Sequence, residues 1–268
     1  MKLGLCLTGG GSRGAYQIGA CMALKEAGIW DRIEAFSGTS IGAVNAVMLA
    51  SSEIEKVRDV WFDMPDEALS STENFFKRLL KERSKLISNG LYTIEILEEK
   101  LKENLNIQNL RNKEVYVTLA LGGEEDGGVI SLLRTSYKHY IKKDRQVKYS
   151  PIWKQDEEHI YKQVLASCSI PVVFSPTNID GKQYFDGGVY DNVPVVPLIE
   201  GGCDKIIVLH LDRLPYFYKS RHPEITFYPL KPKRSLGWML NFSTSNAKNR
   251  YEQGYNECKE FLEENQIL

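Results

Sequence analysis

The chain has little of what disulfide-stapled, zinc-binding or membrane-spanning proteins are built from. Its five cysteines (Cys6, Cys21, Cys168, Cys203 and Cys258) are scattered and odd in number, and none form a C-x-x-C pair. Neither a disulfide framework nor a zinc site is therefore expected, and a reducing compartment is. Most of them stand in apolar runs, where a free cysteine behaves as a small hydrophobe. No apolar run approaches the roughly 20 residues that a membrane span requires. The run after Met1-Lys2 stops at Leu7, before Thr8 and three glycines, too short for the apolar part of a secretory signal. A net charge of −1 gives no global pull towards nucleic acid or an anionic surface; any such affinity must come from local patches. There are no internal repeats, low-complexity tracts or obvious linkers. What remains is 268 residues, 43% hydrophobic and 26% charged, enough for one large α/β domain or two small ones. The expectation is a soluble cytoplasmic protein with no nucleic-acid partner and no obligate protein partner.

Hydrophobic periodicity places the elements. Leu3-Gly4-Leu5-Cys6-Leu7 reads as a central strand and residues 15–27 as the helix that follows its glycine loop, ended by Gly28. Ile33 to Ser37 reads as a second buried strand and Ala43 to Ala50 as a buried helix. Residues 53–112 change character: they are highly charged, with apolar residues at helical spacing, as two or three helices inserted between core strands. Residues 115–121, 129–133, 172–174, 183–185 and 205–211 read as strands, and 157–167 and 243–264 as helices. Buried strands alternating with helices predict a mainly parallel sheet covered on both faces.

Two glycine-rich turns carry the chemistry. Gly38-Thr39-Ser40-Ile41-Gly42 stands between the second strand and its helix, the setting of a nucleophile elbow, in which a strained serine is exposed above the sheet edge. The glycines on either side leave room where strand and helix converge. A structural turn is the plain alternative. Gly9-Gly10-Gly11-Ser12-Arg13-Gly14 satisfies G-x-G-x-x-G and admits two readings. A dinucleotide-binding loop wants an acidic residue at the end of the second strand, but Glu34 stands at its beginning. No Lys-Ser/Thr pair follows Gly14, which excludes a phosphate-binding loop of the Walker kind. The other reading is an oxyanion hole, consecutive glycines aiming backbone N–H groups at one spot. Arg13 then holds the loop in shape or meets an anionic head group.

A serine hydroxyl needs a base. Of four histidines, His139, His159 and His222 lie in polar surroundings, whereas His210 ends a buried strand. The competing base is Asp186, in Phe185-Asp186-Gly187-Gly188, whose glycines permit close backbone approach. Burial raises an aspartate's pKa towards a useful value. Asp191 is a nearby rival that suits a turn or cap better.

Together the 9–14 loop, the 38–42 elbow and Asp186-Gly187-Gly188 resemble the patatin-like lipid acyl hydrolases, as do residues 166–174 and Asn192-Val193-Pro194. The similarity covers most of residues 1 to about 212. It implies a three-layer α/β/α sandwich and an acyl-ester lipid substrate, with neither metal nor cofactor. It also implies a Ser40–Asp186 dyad, with Gly9, Gly10, Gly11 and Arg13 at the oxyanion hole and Gly14, Gly38, Gly42, Gly187 and Gly188 as motif glycines. The chain is accordingly expected to be one domain, with a catalytic core at about 1–212, a helical insert at about 53–112 and an extension at 213–268. Asp191 departs from the asparagine that relatives often have, which keeps a second carboxylate in play. Residues 73–83 form a basic amphipathic stretch, read either as peripheral membrane contact or lid or as a helix capping its own core. Residues 214–219 and 231–242 mix aromatic and basic residues in a similar way. Three other functions compete: an oxidoreductase using the 9–14 loop, a histidine-assisted hydrolase, and a non-catalytic lipid-binding protein.

Overall fold

The computed structural model describes residues 1–63, 96–122, 147–170, 176–214, 221–265 and 267. The amphipathic stretch at 73–83, the strands expected at 129–133 and 172–174, and residues 215–219 lie outside them.

The apolar runs assemble into one eight-stranded sheet. Its strands are β1 (Leu3–Leu7), β2 (Ile33–Gly38), β3 (Glu114–Leu121), β4 (Val147–Pro151), β5 (Thr177–Ile179), β6 (Lys182–Asp186), β7 (Lys205–Leu209) and β8 (Thr226–Leu230). They run in the order β5-β6-β3-β2-β1-β7-β8, with β4 also on β3. Pairs β1–β2, β1–β7, β2–β3 and β7–β8 are parallel. The antiparallel strands β4, β5 and β6 gather at one side.

Alternate strand residues face different cores. Leu5 and Leu7 of β1 join Ile207 and Leu209 of β7 on one face, with apolar residues of α1 (Ala15–Glu26) and α2 (Ile41–Ser51). Cys6, Ile206 and Val208 point the other way and meet Leu198 and Phe227. The expected α/β/α sandwich is therefore found, with one thick layer and one thin one. The thick layer also holds α3 (Ile54–Phe62), α5 (Glu157–Ser167) and α7 (Thr244–Glu264), while α6 (Val196–Glu200) lies on the thin side. Within the charged stretch, residues 96–104 are helical and α4 (Ile107–Leu110) follows. The five cysteines are free and buried.

Two strands converge head-on along β3. Residues 116–120 of β3 pair with β4 on one edge. A strand has only two edges, so β2, opposite 114–117, and β6, opposite 119–121, share the other. β2 runs in one direction and stops at Gly38, opposite Val117; β6 runs in the other and stops at Asp186, opposite Leu119. Only Thr118 separates the two ends. This brings Ser40, two residues past β2, to the end of β6 although 146 positions separate the two in the sequence.

The extension beyond residue 212 packs on the core. β8 continues the sheet beyond β7. Helix α7 packs on α1 so closely that a Cβ at Gly19 would strike the carbonyl of Tyr251, and one at Gly254 that of Tyr16.

Candidate active site

Ser40 has φ 55° and ψ −129°, a region that non-glycine residues occupy at a cost of roughly 1–3 kcal/mol. The turn is fixed from several sides. Thr39 N–H donates to Leu7 O (3.3 Å) and Gly42 N–H to Thr39 O (2.9 Å). Ser40 N–H donates to Ser167 Oγ (2.9 Å), whose hydroxyl donates to Thr118 O (2.8 Å). Glycine is required at both ends of the elbow because a Cβ at Gly38 would meet the Gly42 carbonyl and one at Gly42 the Leu7 carbonyl. Ser167→Ala leaves two buried groups without their partner. It should cost about 2 kcal/mol of stability and lower activity several-fold, checked by urea unfolding and initial rates on the same preparation.

Asp186 is 6% exposed. Burial pushes its carboxyl up to about 6. The neighbouring Ser40 hydroxyl and the Gly188 N–H, at 2.7 Å from Oδ1, favour the anion and oppose that rise. Its own N–H donates to Ser169 O (3.0 Å), and Gly187 lies against the backbone of Thr118. The Cys168 thiol also lies beside Ser40, its pKa raised by burial. His210 is buried at the end of β7, with its N–H on Leu230 O (2.9 Å). Among the described residues, the groups acting on the Asp186 carboxylate include no histidine.

The glycine loop leaves β1 beside the elbow, since Leu7 pairs with Gly38. A Cβ on Gly9 would come within 3.1 Å of the Ser40 Cβ. The three glycines are not equivalent. Asn192 grips Gly9, accepting its N–H (3.0 Å) and donating to its carbonyl (3.4 Å). Among the described residues no acceptor meets the N–H groups of Gly10 and Gly11. Arg13 takes the first of its two expected uses, holding the loop in shape: its Nε donates to Gly237 O (2.9 Å) and its Nη1 to Asp212 (2.8 Å). Its side chain fastens the loop from outside. Gly14 packs against Trp61, Asn45 and Ile41.

Asp191 accepts the Tyr149 hydroxyl (2.6 Å) and the Val193 N–H (3.1 Å), a structural use of that carboxylate. His159 is paired with Asp156 and Asp180 away from this site. Glu34 stands near the start of β2, while the glycine loop leaves the far end of β1. The ribose contact of a dinucleotide site is therefore not assembled.

Sequence reasoning missed a buried polar network behind the loop. Gln17 donates to Thr8 O (2.9 Å) and Leu209 O (3.2 Å); Asn45 donates to Gln17 (2.9 Å) and Gly14 O (3.1 Å). Trp61 Nε1 donates to Asn45 (3.0 Å). Gln17 and Asn45, both fully buried on otherwise apolar helices, were the available signal: such amides persist only where they are bonded.

A strained serine between strand and helix, beside a buried carboxylate and a glycine loop, sits on a mainly parallel sheet. The patatin-like phospholipase family model matches residues 5–199, and the chain belongs to that family. Lysophospholipase NTE1 of Cryptococcus neoformans var. neoformans serotype D is 24% identical over 213 residues, 78% of this chain but 11% of that protein. The probable lipid hydrolase 463L of Invertebrate iridescent virus 6 is 24% identical over 197 residues, covering 71% of this chain and 61% of the viral one. Among solved structures, VipD from Legionella pneumophila superposes with a TM-score of 0.51 at 14% identity, over 98% of this chain and 66% of that one. That likeness concerns the fold.

Proposed function

We propose that the chain is a serine acyl hydrolase that cleaves fatty-acyl esters of lipids through Ser40 and Asp186. The observation that carries this reading is the strained Ser40 lying beside a buried carboxylate whose pKa is pushed up to about 6. That value leaves Asp186 ionised at neutral pH yet a far better proton acceptor than an ordinary aspartate. Asp186 takes the Ser40 proton as Oγ attacks the ester carbonyl. The N–H groups of Gly10 and Gly11, aided by the N-terminus of α2, hold the negative oxygen. Collapse breaks the ester C–O bond, and Asp186 returns the proton to the departing alcohol. Water, deprotonated by the same carboxylate, then releases the fatty acid and restores Ser40.

A lipid ester is favoured by the family and by the relatives, which are named as a lysophospholipase and a probable lipid hydrolase. The five buried free thiols suit a reducing compartment such as the cytoplasm. No helix among the described residues is long and apolar enough to cross a membrane.

The test is hydrolysis of p-nitrophenyl butyrate, p-nitrophenyl palmitate and a lysophospholipid by wild type, Ser40→Ala and His210→Ala. Ser40→Ala should fall to background and lose labelling by a fluorophosphonate, while folded His210→Ala keeps kcat within about tenfold. Persistence of activity in Ser40→Ala would overturn the reading. Collapse of kcat in folded His210→Ala would replace the dyad with a triad, and preference for butyrate would remove the lipid.

A further inference from the structure

Residues 236–241, beyond the matched family region, lie directly on the glycine loop. Ser12 N–H donates to Met239 O (2.7 Å) and Ser12 Oγ to Trp238 O (3.3 Å), beside the Arg13 bond to Gly237 O. One side chain of α7 gathers these groups. Arg250 donates through Nε to Leu236 O (2.8 Å), through Nη1 to Ser12 O, Ser12 Oγ and Asn241 O (2.9 Å each), and through Nη2 to Trp238 O (3.1 Å). It is 5% exposed, and among the described residues no carboxylate acts on it. A buried cation without an anion carries a penalty of several kcal/mol that an apolar side chain would avoid. Its donors are largely taken up by carbonyl oxygens, which leaves little to offer an anionic ligand. What the guanidinium provides is a planar fork that fixes the Ser12 peptide relative to the strap at 236–241, one residue from Gly11.

We infer that Arg250 is a positioning residue for the oxyanion loop, holding Gly10 and Gly11 in the geometry that receives the negative oxygen. The inference rests on the proposed hydrolase chemistry. It makes the site dependent on a helix some 50 residues past the end of the family match.

The experiment compares Arg250→Lys, Arg250→Ala and Ser12→Ala with Tyr255→Phe, which loosens the same helix seam by removing the Tyr255–Glu26 bond. Melting curves establish that each variant is folded at the assay temperature. Lysine keeps the charge but cannot span these carbonyls. Arg250→Lys should therefore lose about 10²-fold in kcat with KM within about threefold, the signature of lost transition-state alignment. Affinity for a trifluoromethyl ketone, which forms an oxyanion on Ser40, should fall in parallel. Guanidinium at millimolar concentration should restore at least tenfold of the kcat lost by Arg250→Ala. Should neither Arg250 variant fold, Ser12→Ala decides, with about a tenfold loss of kcat at unchanged KM expected. The inference is overturned if folded Arg250→Lys keeps kcat within threefold, if the loss lies in KM alone, if Tyr255→Phe loses as much, or, when Ser12→Ala decides, if that variant keeps kcat. Activity surviving in Ser40→Ala would instead overturn the hydrolase reading itself.

Discussion

Asp186→Asn should abolish turnover, by about 10⁴-fold or more, and yet give a more stable protein at pH 8. Both effects come from the same burial. The carboxyl moves from an ordinary 3.8 to about 6 on folding. Between those values the folded chain keeps a proton that the unfolded chain has lost, so stability falls as pH climbs through the window. Below about pH 4 both states are protonated and the penalty is absent. Above about pH 6 it is complete, and a shift of about two units amounts to about 3 kcal/mol. Asparagine has no charge to bury. Urea unfolding should therefore show variant and wild type nearly matched at pH 4, with the variant ahead by about 3 kcal/mol at pH 8. The kinetic counterpart in wild type is a kcat/KM that rises about tenfold per pH unit and levels off near pH 6. A flat stability difference between pH 4 and pH 8, or activity undiminished at pH 4, would remove Asp186 as the buried base.

Gly19→Val should yield no folded protein. At the crossing of α1 and α7 each helix presents a glycine to the other's backbone, Gly19 to the Tyr251 carbonyl and Gly254 to that of Tyr16. Any Cβ there must push the helices apart. A seam that loses its fit also loses the buried Tyr16–Glu257 hydrogen bond (2.9 Å) and the Arg250 contacts beside it. Overpacking alone costs typically 1–3 kcal/mol, and a forced backbone shift more, so a loss of about 4 kcal/mol or more is expected, much of the stability of a typical domain. Soluble yield, circular dichroism and the denaturation midpoint check it. Gly28→Ala, where no atom lies within 4 Å of the new Cβ, serves as the comparison, because its strain is confined to a local φ of 71°. Truncation after residue 212 should aggregate for the same reason, since it strips α7 from the buried face of α1 and β8 from β7.

The central strands and both motif turns were legible because their signals are local. β1 occupies the residues that its apolar run marks, and α5 runs from Glu157 to Ser167 as its pattern predicts. Ser40 could be placed on a strained turn because strand, glycines and helix all lie within a few residues of it. β8 was missed because Pro229 interrupts Thr226–Leu230; the proline is tolerated since β8 ends the strand order, where a missing N–H breaks no ladder. β4 was hidden by its polar composition and its terminal Pro151. The roles of Asn192 and Arg250, and the partners of Arg13, were illegible for a different reason. Each depends on a partner about 180 to 240 residues away, and nothing in local pattern says which carbonyls a distant amide or guanidinium will find.

The meeting of β2 and β6 along one edge of β3 means that the spacing of the proposed nucleophile and base is counted on a third strand, in steps of about 3.3 Å. Chain length between Ser40 and Asp186 is then irrelevant to their separation. Loops inserted among the intervening elements can grow, shrink or be exchanged while the two groups stay in register. One extra residue at Thr118 would spoil it, by moving the ends of β2 and β6 apart by a full step. Loop grafting that leaves the 9–14 loop, the strap at 236–241 and residues 114–121 of β3 in place therefore keeps Ser40 and Asp186 in register.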